Sequence, residues 1–172
     1  MALIIEVNGK KPKIYEGSFL APTATIIGDV VLRRNCSVWF NAVIRGDVNE
    51  IRIGEATNIQ DNVTIHCTYQ KHGTYIGDFV TIGHNSVIHG CTIEDLVLIG
   101  MGAIIMDGAI VESGVIVGAG SVVPPGTRLK SGHIYAGIPA KPLKEISESE
   151  VKRQLKEQAE RYLMYSRWYK EL

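Results

Sequence analysis

Large apolar residues recur at every sixth position along most of this chain. A small or β-branched residue follows most of them four positions later, and glycine, asparagine or aspartate is common in between. Nineteen positions fit the template, with short insertions and a deletion, so the period is a structural repeat. The nineteen are Leu20, Ile26, Leu32, Val38, Ile44, Ile53, Ile59, Ile65, Ile76, Ile82, Ile88, Ile93, Ile99, Ile105, Val111, Val117, Val123, Leu129 and Tyr135.

A period of six predicts an all-β solenoid in which each repeat forms one short strand. The large residue of each hexad points inward, the small one lies beside it, and Gly, Asn or Asp forms the corner, where positive φ is often needed. A single coil cannot bury its own face, so successive coils must stack. The pattern resembles the left-handed parallel β-helix of the hexapeptide-repeat superfamily. That resemblance, rather than the period, implies the left hand and three hexads per triangular coil.

A C-terminal α-helix is predicted after the repeat. Pro139 and Pro142 end the strand ladder because proline cannot donate a hydrogen bond to it. Ser147 and Glu150 then form a capping-box pattern, and apolar residues follow at helical spacing. We expect the apolar face of this helix to pack along the coils or against a neighbouring subunit. The predicted organisation is a β-helix over residues 1–142, with repeats over about 14–141, and a helix over 147–172.

Composition and charge narrow the classes of partner. The 172 residues suffice for one domain with an appendage. Eighteen basic and 18 acidic residues balance, which argues against nucleic acid or an anionic membrane as the main partner. The sequence has no apolar run long enough to span a bilayer, and its start lacks the features of a signal peptide. Since it also has only three cysteines, we expect reduced thiols and a cytoplasmic protein.

Three of the five histidines, His66, His84 and His89, lie among β-branched residues within one stretch of the chain. Residues three hexads apart stack about one strand spacing, ~4.8 Å, from each other. Counting hexads and skipping the insertions puts Arg45, His66 and His89, each directly after an inward isoleucine, in one outward column. The sequence therefore predicts two histidines in register on one face.

His84 belongs to the preceding face of the coil that carries His89. Adjacent faces diverge at a corner, so His84 should not reach the His66–His89 pair of its own chain. Three chains packed around a three-fold axis would bring it to the pair of a neighbour. Three imidazoles leave the fourth position of a tetrahedral zinc site open, which is the catalytic arrangement. The sequence therefore favours a metal site shared between subunits over three unrelated surface histidines.

Polar residues that precede the first histidine converge on the same groove. Asp47 stays near Arg45, on the face of the histidine column. Gln60 and Asp61 lie on the face that carries His84, because the Ile59 hexad stacks under the Ile82 hexad. In a trimer, Asp61 is expected to pair with Arg45 of a neighbour. Gln60 is expected to hydrogen-bond a metal-bound hydroxide or bicarbonate, with Asn58 in support. Alone, Asp47 and Asn58 would be interpreted as solvated surface residues, but their convergence favours a site.

The motifs RGD, NIQD, IH and GHNSVIHGC, in this order, resemble the γ-class carbonic anhydrases. The resemblance covers Ile14 to about Lys141. It implies a homotrimer with zinc, iron or cobalt at each of three interfaces, and reversible hydration of CO2 to bicarbonate by a metal-bound hydroxide. The implied metal ligands are His66 and His89 of one subunit and His84 of the next. The implied interface and active-site residues are Arg45, Asp47, Asn58, Gln60 and Asp61 and, through a looser match in the C-terminal helix, Tyr162.

The chain departs from the best-known active members of that family at two places. Val48 stands where those members carry a glutamate, and the loop CTYQKHGT after His66 has no carboxylate. Histidine is a common proton shuttle near neutral pH, so His72 in that loop is a candidate, but a solvated loop histidine is the favoured interpretation. These departures bear on how fast such a site would turn over.

Two alternatives stay open. The repeat and the GIPAK segment also suit a hexapeptide-repeat acyltransferase that uses acyl-CoA, with one histidine as general base. The missing carboxylates also suit a metal-binding trimer with little hydratase activity. Ester or thioester hydrolysis at the same site is a further activity that the sequence does not exclude.

Overall fold

The computed structural model describes residues 1–169, which form a parallel β-solenoid followed by one helix. Its elements are β1 (Leu3–Ile5), β2 (Lys13–Ile14), β3 (Phe19–Leu20), β4 (Thr25–Leu32), β5 (Ser37–Val38), β6 (Val43–Ile53), β7 (Asn58–Ile59), β8 (Thr64–His66), β9 (Thr74–Ile76), β10 (Thr81–Ile82), β11 (Val87–His89), β12 (Thr92–Ile93), β13 (Leu98–Ile99), β14 (Ile104–Ile105), β15 (Ile110–Val111), β16 (Ile116–Val117), β17 (Val122–Val123), β18 (Arg128–Leu129), β19 (His133–Ala136), β20 (Lys141–Glu145) and α1 (Glu148–Arg167).

The strands stack as the three faces of a left-handed prism, which confirms the predicted fold class. The first face consists of β3, β5, β7, β10, β13, β16 and β19. The second face contains β1, β8, β11, β14 and β17, and the third contains β2, β9, β12, β15 and β18. Strands β4 and β6 bend around the corner between the second and third faces and belong to both. Ile99 pairs with Val117, and Val117 pairs with Tyr135, so three hexads make one coil.

The apolar residues that recur every six positions form the core of the solenoid. All the template positions are buried except Leu20, which is half-buried. Burying an isoleucine side chain contributes about 1.5–3 kcal/mol, so a row of them along each face holds the coils together. Cys36, Cys67 and Cys91 are buried as free thiols.

Three residues other than glycine, asparagine and aspartate take positive φ at the corner between the third and first faces. The sequence predicts glycine, asparagine or aspartate at such corners, but Ala56, Phe79 and Leu96 lie there with φ of 54° each. This conformation costs an L-residue about 1–2 kcal/mol. Helix α1 covers the corner, since the Lys156 ammonium lies 5.7 Å from the centre of the Phe79 ring and Val151 lines a groove with Leu96. Packing against the helix offsets the backbone cost.

The chain leaves the solenoid near the predicted prolines. The parallel ladder ends at β19, and β20, which contains Pro142, pairs with β19 in the antiparallel direction. Helix α1 begins after Ser147, and both hydrogen bonds of the predicted capping box with Glu150 are present. The helix packs on β5 and β10 of its own chain. Residues 170–172, the end of the predicted helix, lie outside the described residues.

No helix within residues 1–169 combines the length and the hydropathy that a membrane span requires.

Candidate functional site

The second face carries the two stacked histidines. Ile65 pairs with both Ile44 and Ile88 in the β6–β8–β11 ladder, and His66 pairs directly with His89. Their imidazoles stand on the outside of the face, where His66 Nδ1 lies 3.1 Å from His89 Nε2. The hexad count therefore placed these two side chains together.

Asp47 holds the opposite nitrogen of His66. Asp47 Oδ1 lies 3.0 Å from His66 Nε2, and Arg45 donates to Asp47 Oδ2 at 2.6 Å. Partial burial by itself raises the pKa of Asp47, but the hydrogen bonds from Arg45 and His66 outweigh it and lower that pKa below 3.8. Asp47 is therefore an anion at neutral pH and can only accept, so His66 must donate from Nε2.

Asp107 holds the opposite nitrogen of His89, and sequence reasoning missed this residue. Asp107 Oδ1 lies 2.5 Å from His89 Nδ1, and Thr68 Oγ1 donates to Asp107 Oδ2 at 2.6 Å. Burial raises the pKa of Asp107, but these two hydrogen bonds outweigh it and lower that pKa. The available signal was the hexad that follows the histidine column, because Asp107 comes two residues after its inward isoleucine, Ile105.

The pair of imidazoles fits two ligands of one metal ion. Metal–nitrogen bonds of about 2.0–2.1 Å at a tetrahedral angle separate the two nitrogens by about 3.3 Å, and the facing nitrogens of His66 and His89 are 3.1 Å apart. A carboxylate on the second nitrogen of each ring is the usual support of a metal-bound histidine. Within residues 1–169 of a single chain, no group of three or more His, Cys, Asp and Glu side chains is arranged to hold a metal. One chain therefore offers two such ligands.

His84 follows β10 of the first face by two residues and thus lies on a different face from His66 and His89. Its Nδ1 is 2.8 Å from Asp61 Oδ2, so it too has a carboxylate partner. Asp61 Oδ1 also accepts from the backbone N–H of Phe40 at 3.1 Å. The predicted pair between Asp61 and Arg45 joins two chains and stays a prediction, since within one chain Asp61 contacts His84.

Gln60 and Asn58 form a buried row of amides on the first face. Gln60 Nε2 donates to Asn58 Oδ1 at 3.1 Å, and Asn58 Nδ2 donates to Thr81 Oγ1 at 2.8 Å. The two residues are only 3% and 1% exposed. Asn58 therefore holds the Gln60 amide in one orientation, beside the strand that leads to His84.

Tyr162 lies on the same side of the molecule, on the helix that covers the first face. Its ring packs edge-on against Trp39 with 5.5 Å between centroids. Burial raises the pKa of Tyr162, and the charge of Asp61 adds to that effect. The structure thus brings Tyr162 near Asp61, whereas Arg45 and Asp47 lie with the histidine column of the second face.

The loop after His66 lies against the coils. Thr68 and His72 close it with a backbone hydrogen bond of 2.8 Å. His72 is half-buried, and its Cβ would lie only 3.0 Å from a Cβ added at Gly90. His72 is therefore partly exposed to solvent and partly packed against the coils. When His72 is protonated, its positive charge helps to lower the pKa of Asp107.

Comparisons with known proteins identify similar chains. A family model described as bacterial transferase hexapeptide (six repeats) matches residues 90–125. The chain is 44% identical to gamma carbonic anhydrase 1, mitochondrial, of Arabidopsis thaliana over 86% of this chain and 56% of that protein. It is 39% identical to the carbonic anhydrase of Geobacillus kaustophilus over 99% of this chain and 92% of that protein.

Solved structures agree with the fold. The crystal structure of a hexapeptide transferase family protein from Anaplasma phagocytophilum superposes with a TM-score of 0.91 and 42% identity. The match covers 97% of this chain and 98% of that one. By contrast, the chain spans little more than half the length of the plant protein, 56%.

Proposed function

The chain belongs to the γ-class carbonic anhydrase family of hexapeptide-repeat proteins, and on that premise we propose that it catalyses the metal-dependent, reversible hydration of CO2 to bicarbonate. The proposed site lies between subunits of a homotrimer and takes His66 and His89 from one subunit and His84 from the next. One observation carries the proposal. His66 Nδ1 and His89 Nε2 face each other at 3.1 Å, while a carboxylate holds the opposite nitrogen of each ring.

Zinc, iron or cobalt at this point would supply a Lewis acid that makes water a nucleophile near neutral pH. The chain's own contribution is to present unprotonated nitrogens. Asp47 and Asp107 accept from the far nitrogens of His66 and His89, so in the neutral rings the facing nitrogens carry the lone pairs that would bind a metal. Asp61 does the same for His84 through Nδ1. Each proposed ligand is therefore oriented before a metal arrives.

Substrate handling is assigned to the first face. In the proposal, Gln60 hydrogen-bonds an oxygen of CO2 or bicarbonate, and Asn58 fixes the Gln60 amide. Arg45 pairs across the interface with Asp61 of the neighbour and keeps the two faces together. Tyr162, beside Asp61, closes the groove from the helix side.

Apolar side chains on the second face support the trimer. Ile104 and Met106 on this face are 37% and 38% exposed, and Ile104 pairs with Val87 in the strand that leads to His89. Met101, one coil after His84 at the end of the first face, is 58% exposed. An apolar patch beside a polar site is typical of a protein–protein interface. A second copy of the chain would cover this patch and bring His84 to the histidine column.

Metal analysis of protein purified without chelator tests the proposal. We expect about one equivalent of a transition metal per chain, a trimeric mass, and loss of the metal in His66→Ala. His133→Ala is the matched control, since His133 bonds the Ser131 carbonyl at the far end of the solenoid. Less than a third of an equivalent in the wild type, with no change on His66→Ala, would contradict the proposal.

An acyltransferase that uses acyl-CoA is the second candidate. The transferase family model over residues 90–125 and the hexapeptide transferase structure favour it. A saturable thermal shift with acetyl-CoA, and none with zinc, would support this candidate over the first.

A metal-binding trimer with little hydratase activity is the third candidate. Val48 and the carboxylate-free loop after His66 favour it. A metal-loaded trimer that hydrates CO2 no faster than background in a stopped-flow assay would support it. Hydrolysis of a model ester by that same trimer would point to a hydrolase instead.

A further inference from the structure

We infer that Asp107 is a positioning residue for the proposed metal site, and that Thr68 holds Asp107 in place. The inference rests on the proposed function. Asp107 is not among the active-site residues that the family resemblance implies. In this inference it acts through His89 and does not contact the substrate.

Both oxygens of Asp107 are engaged. Oδ1 accepts from His89 Nδ1 at 2.5 Å, and Oδ2 accepts from Thr68 Oγ1 at 2.6 Å. Asp107 follows β14, whose Ile105 pairs with Ile88 of the histidine strand, so the carboxylate reaches down from the next coil. A carboxylate fixed at both oxygens cannot rotate, and the imidazole that it holds keeps one orientation.

Thr68 belongs to the loop that follows His66, and this loop is anchored on its other side. Asn49 Nδ2 donates to the Thr68 carbonyl at 3.1 Å, and the Thr68 N–H donates to the His72 carbonyl at 2.8 Å. His72 lies against Gly90, one residue after His89. The loop carries no acidic residue, and its Thr68 hydroxyl instead contacts the carboxylate of Asp107, two coils further along the solenoid.

The chemical consequence concerns the tautomer of His89. An ionised carboxylate only accepts, so Asp107 requires a proton on Nδ1, and in the neutral imidazole Nε2 is then the unprotonated nitrogen. Nε2 is the nitrogen that faces His66. A carboxylate partner also makes the imidazole a more basic ligand, and removing such a partner typically weakens metal binding by about 10–100-fold.

Competition with a chromophoric chelator, which measures zinc affinity, tests the inference. We expect Asp107→Ala to weaken zinc binding by about 10–100-fold. Asp107→Asn should lose less, because an amide oxygen still accepts from Nδ1. Thr68→Val should weaken binding in the wild-type background and have no further effect in Asp107→Ala. Glu112→Gln is the control, since it removes a carboxylate that pairs with Arg128 on the third face.

Nitrogen-15 NMR of the histidine side chains in metal-free protein provides a second measurement, which does not depend on catalytic activity. Wild-type His89 should be protonated at Nδ1, and Asp107→Ala should give a mixture of tautomers. If Asp107→Ala does not fold, Asp107→Asn and Thr68→Val carry the test. Zinc affinity of Asp107→Ala within twofold of wild type, or an unchanged tautomer, would overturn the inference. A wild-type chain that binds no zinc contradicts the proposed function, and the NMR readout then still decides whether Asp107 fixes His89.

Discussion

His66 and His89 are direct cross-strand neighbours although 23 positions separate them in the sequence. Their ring centroids are 5.1 Å apart, about one strand spacing. The inserted loop after His66 accounts for the odd spacing, because it leaves the ladder and re-enters it in register. The described part of one chain offers this pair and keeps His84 on another face. In the proposed function, the site is therefore completed by a second subunit.

Subunit complementation provides the first prediction. Neither His66→Ala nor His84→Ala trimers should bind metal tightly, but trimers that contain both variants should regain about one site each. In a cyclic trimer of two kinds of subunit, one interface joins an intact His66–His89 pair to an intact His84. Co-expression with two affinity tags, followed by metal analysis of the doubly purified species, measures this recovery.

The matched control mixes His66→Ala with His89→Ala. Both residues come from the same subunit in the proposed site, so every pair in the mixed trimer lacks one histidine. Metal recovery in this mixture, equal to that with His84→Ala, would show that the site is not divided between subunits in the proposed way.

The six-residue period made the fold and the histidine column predictable. Burial of one isoleucine per hexad sets the coil length, and a fixed coil length sets which outward residues stack. Once Ile65 and Ile88 are on one face, His66 and His89 have no other place. The capping box at Ser147 is local and was equally readable.

Asp107 and His72 were not predictable in this way. Asp107 follows its strand at a corner, where the side-chain direction depends on the local turn rather than on the repeat. The path of the loop from Cys67 to Gly73 depends on contacts with two other coils, through Asn49 and Asp107. Hexad counting places Asp107 in the coil after His89 but does not give the direction of its side chain, and it contains no information on the path of the loop.

Gln60→Leu is the second prediction. The substitution keeps the volume and removes the amide that is proposed to hydrogen-bond the substrate. CO2 hydration by the metal-loaded trimer should fall by roughly 100-fold, the usual effect of losing one preorganised donor, while metal content stays constant. Stopped-flow assays with a pH indicator measure the rate. Gln154→Leu, at an exposed helix position, is the control, and equal rates in both variants would remove Gln60 from the mechanism.

The third prediction concerns acid stability and Asp29. This carboxylate lies 2.8 Å from Arg52 and 3.5 Å from Lys10. Burial raises its pKa, but the Arg52 hydrogen bond and the two positive charges outweigh burial and lower the pKa below 3.8. The unfolded chain therefore binds this proton first as the pH falls, and the folded state loses stability.

The contribution of Asp29 should be complete above about pH 5 and should disappear as the pH falls below 3.8, through the lowered pKa. Urea unfolding should be measured at several pH values from about 5 to below 3.8. As the pH falls, the free energy of unfolding should decline more steeply for the wild type than for Asp29→Asn. Parallel curves for the two proteins over this range would mean that the ion pairs with Arg52 and Lys10 do not stabilise the fold.

Ile104 and Ile105 are consecutive residues of β14. Substituting one should affect the assembly of the proposed trimer, and substituting the other should affect the stability of the fold. Ile105 is fully buried, so Ile105→Ala should lower the free energy of unfolding by about 2–5 kcal/mol. Ile104 points out of the second face and is 37% exposed, so Ile104→Glu should leave the coils folded and dissociate the proposed trimer. Ile110→Glu, at the outward position of β15 on the third face, should remain trimeric.

Native mass spectrometry measures the assembly, and circular dichroism measures the fold. A trimeric Ile104→Glu would exclude the second face as the interface, because a charge cannot be buried there without a partner.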